Sequence, residues 1–183
     1  VAKSPPKPHI PNFKAVTRVL RDTARKVVPV EVKRFADGER DNFVRRIEEQ
    51  DFQSFQMIPL SKSWLARKKA HGADTRTMIA TGWYKSQIKV YTRRRSGGWG
   101  QTLYIGFDKR THARDLDGNV TDFLLTGKPG VAEVQEFGSV KAGVPARPHW
   151  GPHYKQMHKD AQQVRKSIRS KIMKEMRRRM PSF

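Results

Sequence analysis

Three histidines gather in the C-terminal third of the chain, His149, His153 and His158. Imidazole nitrogens are common zinc ligands, and residues four apart share one face of a helix, so His149 and His153 could hold one ion if both are helical. Zinc would need a third ligand and groups that orient the rings, and only Asp160 stands nearby as a carboxylate. The plainer reading of these histidines is polar helix surface. The run D-L-D-G-N-V-T-D from Asp115 has the acidic alternation of a calcium loop without its geometry. Gly118 falls at loop position 4 where position 6 is required, and Thr126 stands where position 12 wants a bidentate Glu. Cysteine is absent from the 183 residues, which removes disulfides and thiolate metal sites. No Ser-His-Asp order, phosphate-cradling glycine loop or carboxylate pair emerges, so the chain reads as non-enzymatic, with no metal or cofactor.

One catalytic reading has motif support. G-W-Y at 82–84 and Y-I-G at 104–106 resemble the GIY-YIG endonucleases, whose two tyrosines, an arginine and a metal-binding glutamate act on a phosphodiester. The triplets here stand roughly twice as far apart as in that family, a spacing at which short matches arise by chance. Trp83 replaces the central Ile, and the candidate Glu133 lies within a stretch that reads as structural. A nuclease is therefore the least favoured of the functions considered.

Binding chemistry is better represented. The formal charge is +21, unevenly spread: residues 1–58 carry 12 Lys and Arg against 8 Asp and Glu, 59–110 carry 12 against 2, 111–148 carry 4 against 5, and 149–183 carry 10 against 2. Two strongly basic zones thus flank a neutral one. An excess of this size self-repels, so the basic zones are expected to face a polyanion and the neutral zone to face protein. Arg93, Arg94 and Arg95 are three consecutive cations, followed by Gly97, Gly98 and Trp99. Buried arginines would be left unpaired, so this run is expected at a projecting hairpin tip that touches nucleic acid or a partner protein, with Trp99 as a possible anchor.

These groups need elements to position them. Val131, Val134 and Phe137 recur every three residues and predict a short helical turn that Gly138 ends in a left-handed cap. Pro145, Pro148 and Pro152 then fix φ three times within eight residues, and Pro148 suits the start of a helix. Trp150, Tyr154, Met157, Ala161, Val164, Ile168 and Ile172 continue at steps of three and four, the stripe of a long amphipathic helix. The stretch 131–152 is thus a rigid hinge in which Phe137 is expected to be buried, and Arg147 to pair with Glu136 or with a backbone carbonyl of the same or an adjacent subunit. Residues 1–12, with four prolines, read as an extended arm. Phe13, Val16, Leu20, Ala24 and Val27 predict a helix that Pro29 stops, with Lys14, Arg18, Arg21 and Arg25 on its other face. Asp37 would cap a second helix bearing Phe43, Val44 and Ile47. Ser61 would cap a third, bearing Trp64 and Leu65 and closed by Gly72. Tyr84, Ile88 and Val90 share a face of a strand, residues 102–108 form the next, and residues 120–126 are expected to add a third. No apolar run approaches 18 residues and no secretory signal is recognisable, so a soluble chain, intracellular when made, is expected.

Taken in order, P-L-S-K-S-W-L-A-R-K at 59–68, T-G-W-Y-K-S-Q-I at 81–88, A-E-V-Q-E-F-G at 132–138 and A-R-P-H-W-G-P at 146–152, followed by the long helix, resemble a family of tailed-bacteriophage virion proteins. These are called minor tail, tail completion or virion morphogenesis proteins. The resemblance covers roughly residues 59–175, and residues 30–58 stand as an insertion-like helical segment, with 176–183 a basic tail. Tyr84, Ser86 and His149 depart from the family's usual pattern. The resemblance implies one compact α+β domain over 13–175, in which a small antiparallel sheet packs against an N-terminal and a long C-terminal helix. It further implies a homo-oligomeric ring, a hexamer or dodecamer, at the neck, tail completion or tail terminator position. Neighbouring head-tail connector and tail tube proteins and packaged double-stranded DNA would be its partners. Localisation would be the virion, with assembly in the host cytoplasm. Glu136, Phe137, Gly138, Ala146, Arg147, Pro148, Trp150 and Pro152 would form its structural hinge and subunit interface. The alternative from another class is a ribosomal or other RNA-binding protein, which is similarly small and basic.

Overall fold

A computed structural model describes residues 13–51, 59–79, 81–94, 101–127 and 130–180. The architecture is α+β: a long N-terminal helix, a long C-terminal helix and small antiparallel sheets between them in sequence. Helix α1 spans Phe13–Glu49, α2 Lys62–Ala70, α3 Trp83–Ser86, α4 Val131–Phe137 and α5 Trp150–Arg179. Strands β1, Lys89–Arg94, and β2, Gln101–Gly106, pair antiparallel with Val90 opposite Ile105. Strands β3, His112–Arg114, and β4, Val120–Leu124, form a separate pair. The expected single sheet is thus two hairpins. The third strand pairs with a partner of only three residues, too short for an alternation to show in sequence.

Pro29 does not stop α1. The helix runs 37 residues through it, although an interior proline removes a backbone donor and costs about 3 kcal/mol or more. Tertiary packing on both sides of Pro29 overrides the breaker: Ala24 before it is buried, and so are Ala36, Phe43 and Ile47 after it. Asp37 is therefore an interior residue that pairs with Lys33 at 2.6 Å instead of capping a second helix. Of the insertion-like segment 30–58, residues 30–49 continue α1 and supply Phe43 and Ile47 to the core with Ile79, Ile88 and Ile105, while 52–58 lie outside the described residues. Helices α1 and α5 run antiparallel. Phe43, late in α1, lies 4.3 Å from the Trp150 ring at the start of α5, while Glu31, earlier in α1, binds Lys171 near the end of α5 at 2.6 Å.

Two helix ends follow the sequence closely. Ser61 caps α2, its Oγ accepting the Trp64 N–H at 3.3 Å, and Gly72 beyond its end adopts φ 63°. Tyr84, expected on a strand, lies instead in the single turn of α3, which Gly82 enters at φ 76°. The strand starts only at Lys89. At the C-terminus, Arg177, Arg178 and Arg179 are the last turn of α5 and not a separate tail.

Candidate functional site

The stretch joining α4 to α5 is where the sequence motifs converge. Helix α4 ends at Phe137, and Gly138 takes up φ 75° with its N–H donating to the Val134 carbonyl at 2.9 Å. Glycine is required there twice over. An L side chain resists that φ, and an added Cβ would lie 2.8 Å from the Ala146 nitrogen and 2.9 Å from the Val144 oxygen. Residues 139–144 then fold back on themselves, Ser139 and Val144 exchanging two backbone hydrogen bonds of 2.8 and 2.9 Å. The returning chain is fastened to α4 by the Arg147 N–H, which donates to the Gln135 carbonyl at 2.6 Å.

Glu136 is the centre of this junction. Its Oε2 accepts the backbone N–H groups of His149 at 2.7 Å and Trp150 at 2.9 Å, and its Oε1 accepts that of Gly151 at 2.9 Å. A helix begins with N–H groups that have no partner inside it, and a negative charge at that end is favoured by the helix dipole. Here the accounting is complete. Glu136 takes three donors, Pro152 has none to offer, and His153 makes the first bond of the helix, to the His149 carbonyl at 3.3 Å. Gly151 lets the carboxylate approach, since a Cβ would stand 3.1 Å from Oε1. Of the two partners expected for Arg147, Glu136 is taken by this arrangement and backbone carbonyls serve. The Arg147 side chain, 5% exposed, instead directs its guanidinium towards carbonyls, donating to Pro145 at 3.4 Å and Pro59 at 3.5 Å. Burial lowers its pKa.

Three aromatic groups extend the junction into the core. The Trp150 Nε1–H donates to the Tyr84 oxygen at 3.2 Å, the Tyr84 hydroxyl donates to His149 Nε2 at 2.7 Å, and His149 Nδ1–H donates to the Arg147 carbonyl at 2.9 Å. A carbonyl can only accept, so His149 carries a proton on Nδ1, which also lies 3.3 Å from Glu136 Oε2, and in the neutral ring Nε2 accepts from Tyr84. Burial agrees with that state, lowering the His149 pKa and raising that of Tyr84 beyond the usual phenol range. His149 and His153, expected on polar surface, are 0% and 1% exposed. Both belong to the core because Phe43 packs on them, its ring 6.0 Å from His149 and 4.5 Å from His153. His158 is exposed. Among the described residues no group of three His, Cys, Asp or Glu is placed to hold a metal ion.

Phe137 was expected in the core and is 78% exposed. The three-residue spacing that suggested burial holds for a single turn only, and Val131 and Val134 are themselves only half-buried. Val140, on the turn that follows, is 102% exposed. Ala146, Pro148 and Pro152 are half-buried in the hinge, and α5 starts at Trp150 with His149 as its cap position, two residues after Pro148. The two tyrosines of the nuclease reading are placed apart in role: Tyr84 is held by His149 and Trp150, while Tyr104 is exposed opposite Tyr91 on β2. Glu133 Oε1 accepts from Thr126 Oγ1 at 3.0 Å and from the Gly127 N–H at 3.3 Å. Asp115 closes a tight polar turn, its Oδ1 accepting the N–H groups of Asp117 and Asn119 at 3.0 and 2.8 Å. Of the basic hairpin, Arg93 is exposed on β1 and Arg94 ends that strand, while Arg95 and Trp99 lie outside the described residues.

Sequence reasoning missed three features here: the capping role of Glu136, the Tyr84–His149 bond and the burial of His149 and His153. A Glu at a motif's end gives no sign that it will cap a helix beginning 14 residues later, as Glu136 does for Trp150. No family model, curated protein or solved structure matches this chain.

Proposed function

We propose that the chain is a structural virion protein of a tailed bacteriophage, one subunit of a homo-oligomeric ring at the head-tail junction. In this reading the ring, a hexamer or dodecamer, surrounds the DNA channel as a neck, tail completion or tail terminator component. It contacts the neighbouring connector and tail tube proteins. The observation that carries the reading is the junction at Glu136. The motifs A-E-V-Q-E-F-G and A-R-P-H-W-G-P, on which the resemblance chiefly rests, are one physical unit in which a carboxylate from the first starts the helix of the second. Each distinctive residue has a place in that unit: Glu136 as cap, Gly138 as turn, Arg147 as buried fork and Pro152 as the donor-free position of the helix.

The unit also presents what a subunit interface needs. Phe137 and Val140 stand exposed on a backbone held by hydrogen bonds at both ends, so little ordering entropy is lost on contact. They lie in the neutral zone 111–148, the part of the +21 chain where copies approach each other with least repulsion. Polar groups that could do chemistry are committed to structure, Tyr84 to His149 and His149 to Arg147, which favours a scaffold over an enzyme. Electron microscopy of the purified chain tests the reading, with closed rings expected. Phe137→Ser should abolish them while leaving the monomer folded. A wild-type chain that stays monomeric alone and with virion partners would overturn it.

A further inference from the structure

Cations with carboxylate partners are concentrated in the second half of α1, while several on its first half and on α5 have none among the described residues. In the second half of α1, Arg34, Lys33, Arg40 and Arg45 pair with Glu31, Asp37, Asp41 and Glu49. In the first half Arg18, Arg21 and Arg25 are exposed and pair with no carboxylate among the described residues, and on α5 the same holds for Lys166, Arg169 and Arg177. Their spacing makes two rows. Arg18, Arg21 and Arg25 step by three and four, and Lys166, Arg169 and Arg177 by three and eight, so each set keeps to one helix face.

At 3.6 residues per turn each row lies about 100–130° around its helix from the apolar residues that pack inwards, Val16, Leu20 and Ala24 on α1 and Ile168, Ile172 and Met176 on α5. The offset runs in the same rotational sense on both helices. Because the helices are antiparallel, equal offsets of the same sense bring both rows to the same side of the pair. The result is one face that carries uncompensated cations from both helices. At 1.5 Å rise per residue the steps of three and four place successive cations about 5 Å apart along the axis, and the step from Arg169 to Arg177 about 12 Å.

We infer that this face of the α1–α5 pair binds the phosphate backbone of double-stranded nucleic acid without reading its sequence. An extended run of point charges suits a regular, densely charged rod, whose phosphates release condensed counterions to solution as each cation neutralises them. Single strands are bound on aromatic rings interleaved with the charges, whereas the ring beside these cations, exposed Phe13, stands at the end of the α1 row and not between its charges. A lipid surface would require an apolar stripe beside the cations, and one exposed ring is not a stripe. The inference rests on the ring reading only for the identity of the duplex as packaged DNA. The face itself belongs to the single subunit.

The test measures affinity for a 30-base-pair duplex of mixed sequence between about 50 and 200 mM salt. One variant is Arg18→Ala/Arg21→Ala/Arg25→Ala, a second is Lys166→Ala/Arg169→Ala/Arg177→Ala, and a control, Lys109→Ala/Arg110→Ala/Lys141→Ala, removes equal charge from exposed sites off both helices. Each row variant should lower the slope of log K against log salt by up to about 2.7, so that its salt response over this range shrinks by about 40-fold, while the control keeps most of the wild-type slope. All six substituted residues are exposed, and far-UV dichroism confirms that each variant keeps its helices. Equal losses in control and row variants, unchanged slopes in both row variants, or tighter binding to a single strand of the same length would overturn the inference. Native mass spectrometry of the same samples separates this from the ring reading. Rings with an unchanged slope sink the face alone, and monomers whose slope drops sink the ring alone.

Discussion

Replacing Glu136 by Ala should destabilise the fold more than any other single change at an exposed or half-buried carboxylate. The loss can be worked from the three bonds. The His149 N–H belongs to a residue with 0% exposure, so without its acceptor at 2.7 Å it is a buried orphan donor and costs about 1–3 kcal/mol. Trp150 and Gly151 are half-buried and can turn their N–H groups to water, so their share is the loss of a cap and of a charge at the helix dipole, about 1–2 kcal/mol together. The sum is about 2–5 kcal/mol for Glu136→Ala. Glu136→Gln keeps the shape but sets an amide NH2 against one of the three donors and removes the charge, for about 1–2 kcal/mol. Urea unfolding followed by tryptophan fluorescence and far-UV dichroism measures both, as a lower midpoint at constant slope. A loss under about 1 kcal/mol for the alanine variant, or a glutamine variant equal to wild type, would refute the capping argument.

Other consequences can be checked on the same footing. Burial, with the Arg46 guanidinium adding to it, holds the His153 pKa down to about 4. The unfolded chain therefore binds more protons than the folded one between pH 4 and the ordinary 6.5, and stability present above about 6.5 is lost as pH falls towards 4. The loss from His153 is about 3 kcal/mol, opposed near its lower end by Glu39, whose pKa burial and the Asp160 charge raise. Neither ring nitrogen of His153 has a hydrogen-bond partner among the described residues, so His153→Leu should cost little at pH 7 and flatten the acid limb of a stability-against-pH curve. Gly138→Ala should destabilise by about 2–4 kcal/mol in thermal or urea unfolding, since a left-handed φ and contact with the Ala146 and Val144 backbone act together. Phe137→Ala should change monomer stability by less than about 1 kcal/mol yet weaken self-association at least about tenfold in sedimentation equilibrium.

Local signals in the sequence proved sufficient where one residue does one local job. Ser61 and Gly72 bound α2, Gly138 turns the chain, and the apolar stripe from Trp150 marks α5, because caps and periodicity act over a single turn or a single helix. The mixed α+β class, which the resemblance implied, is the one observed. Pro29 misled because its cost is local while the burial that outweighs it comes from α5, far along the chain. Phe137 misled in the opposite direction: its spacing is that of a core residue, but α4 is one short helix whose end projects. His149 and His153 are polar by type and buried by context, stacked on Phe43 from a helix more than 100 residues away in sequence. The role of Glu136 was illegible for the same reason, since capping between elements depends on where the chain returns after a loop.

The account stands or falls on whether Phe137 and its surroundings join copies of this chain into a ring. Native mass spectrometry of the purified protein at micromolar concentration, beside Phe137→Ser under identical conditions, measures that directly. The account predicts one closed species of six or twelve subunits for the wild type and folded monomer for the variant. A wild-type monomer, or a ring that survives the substitution unchanged, would contradict it.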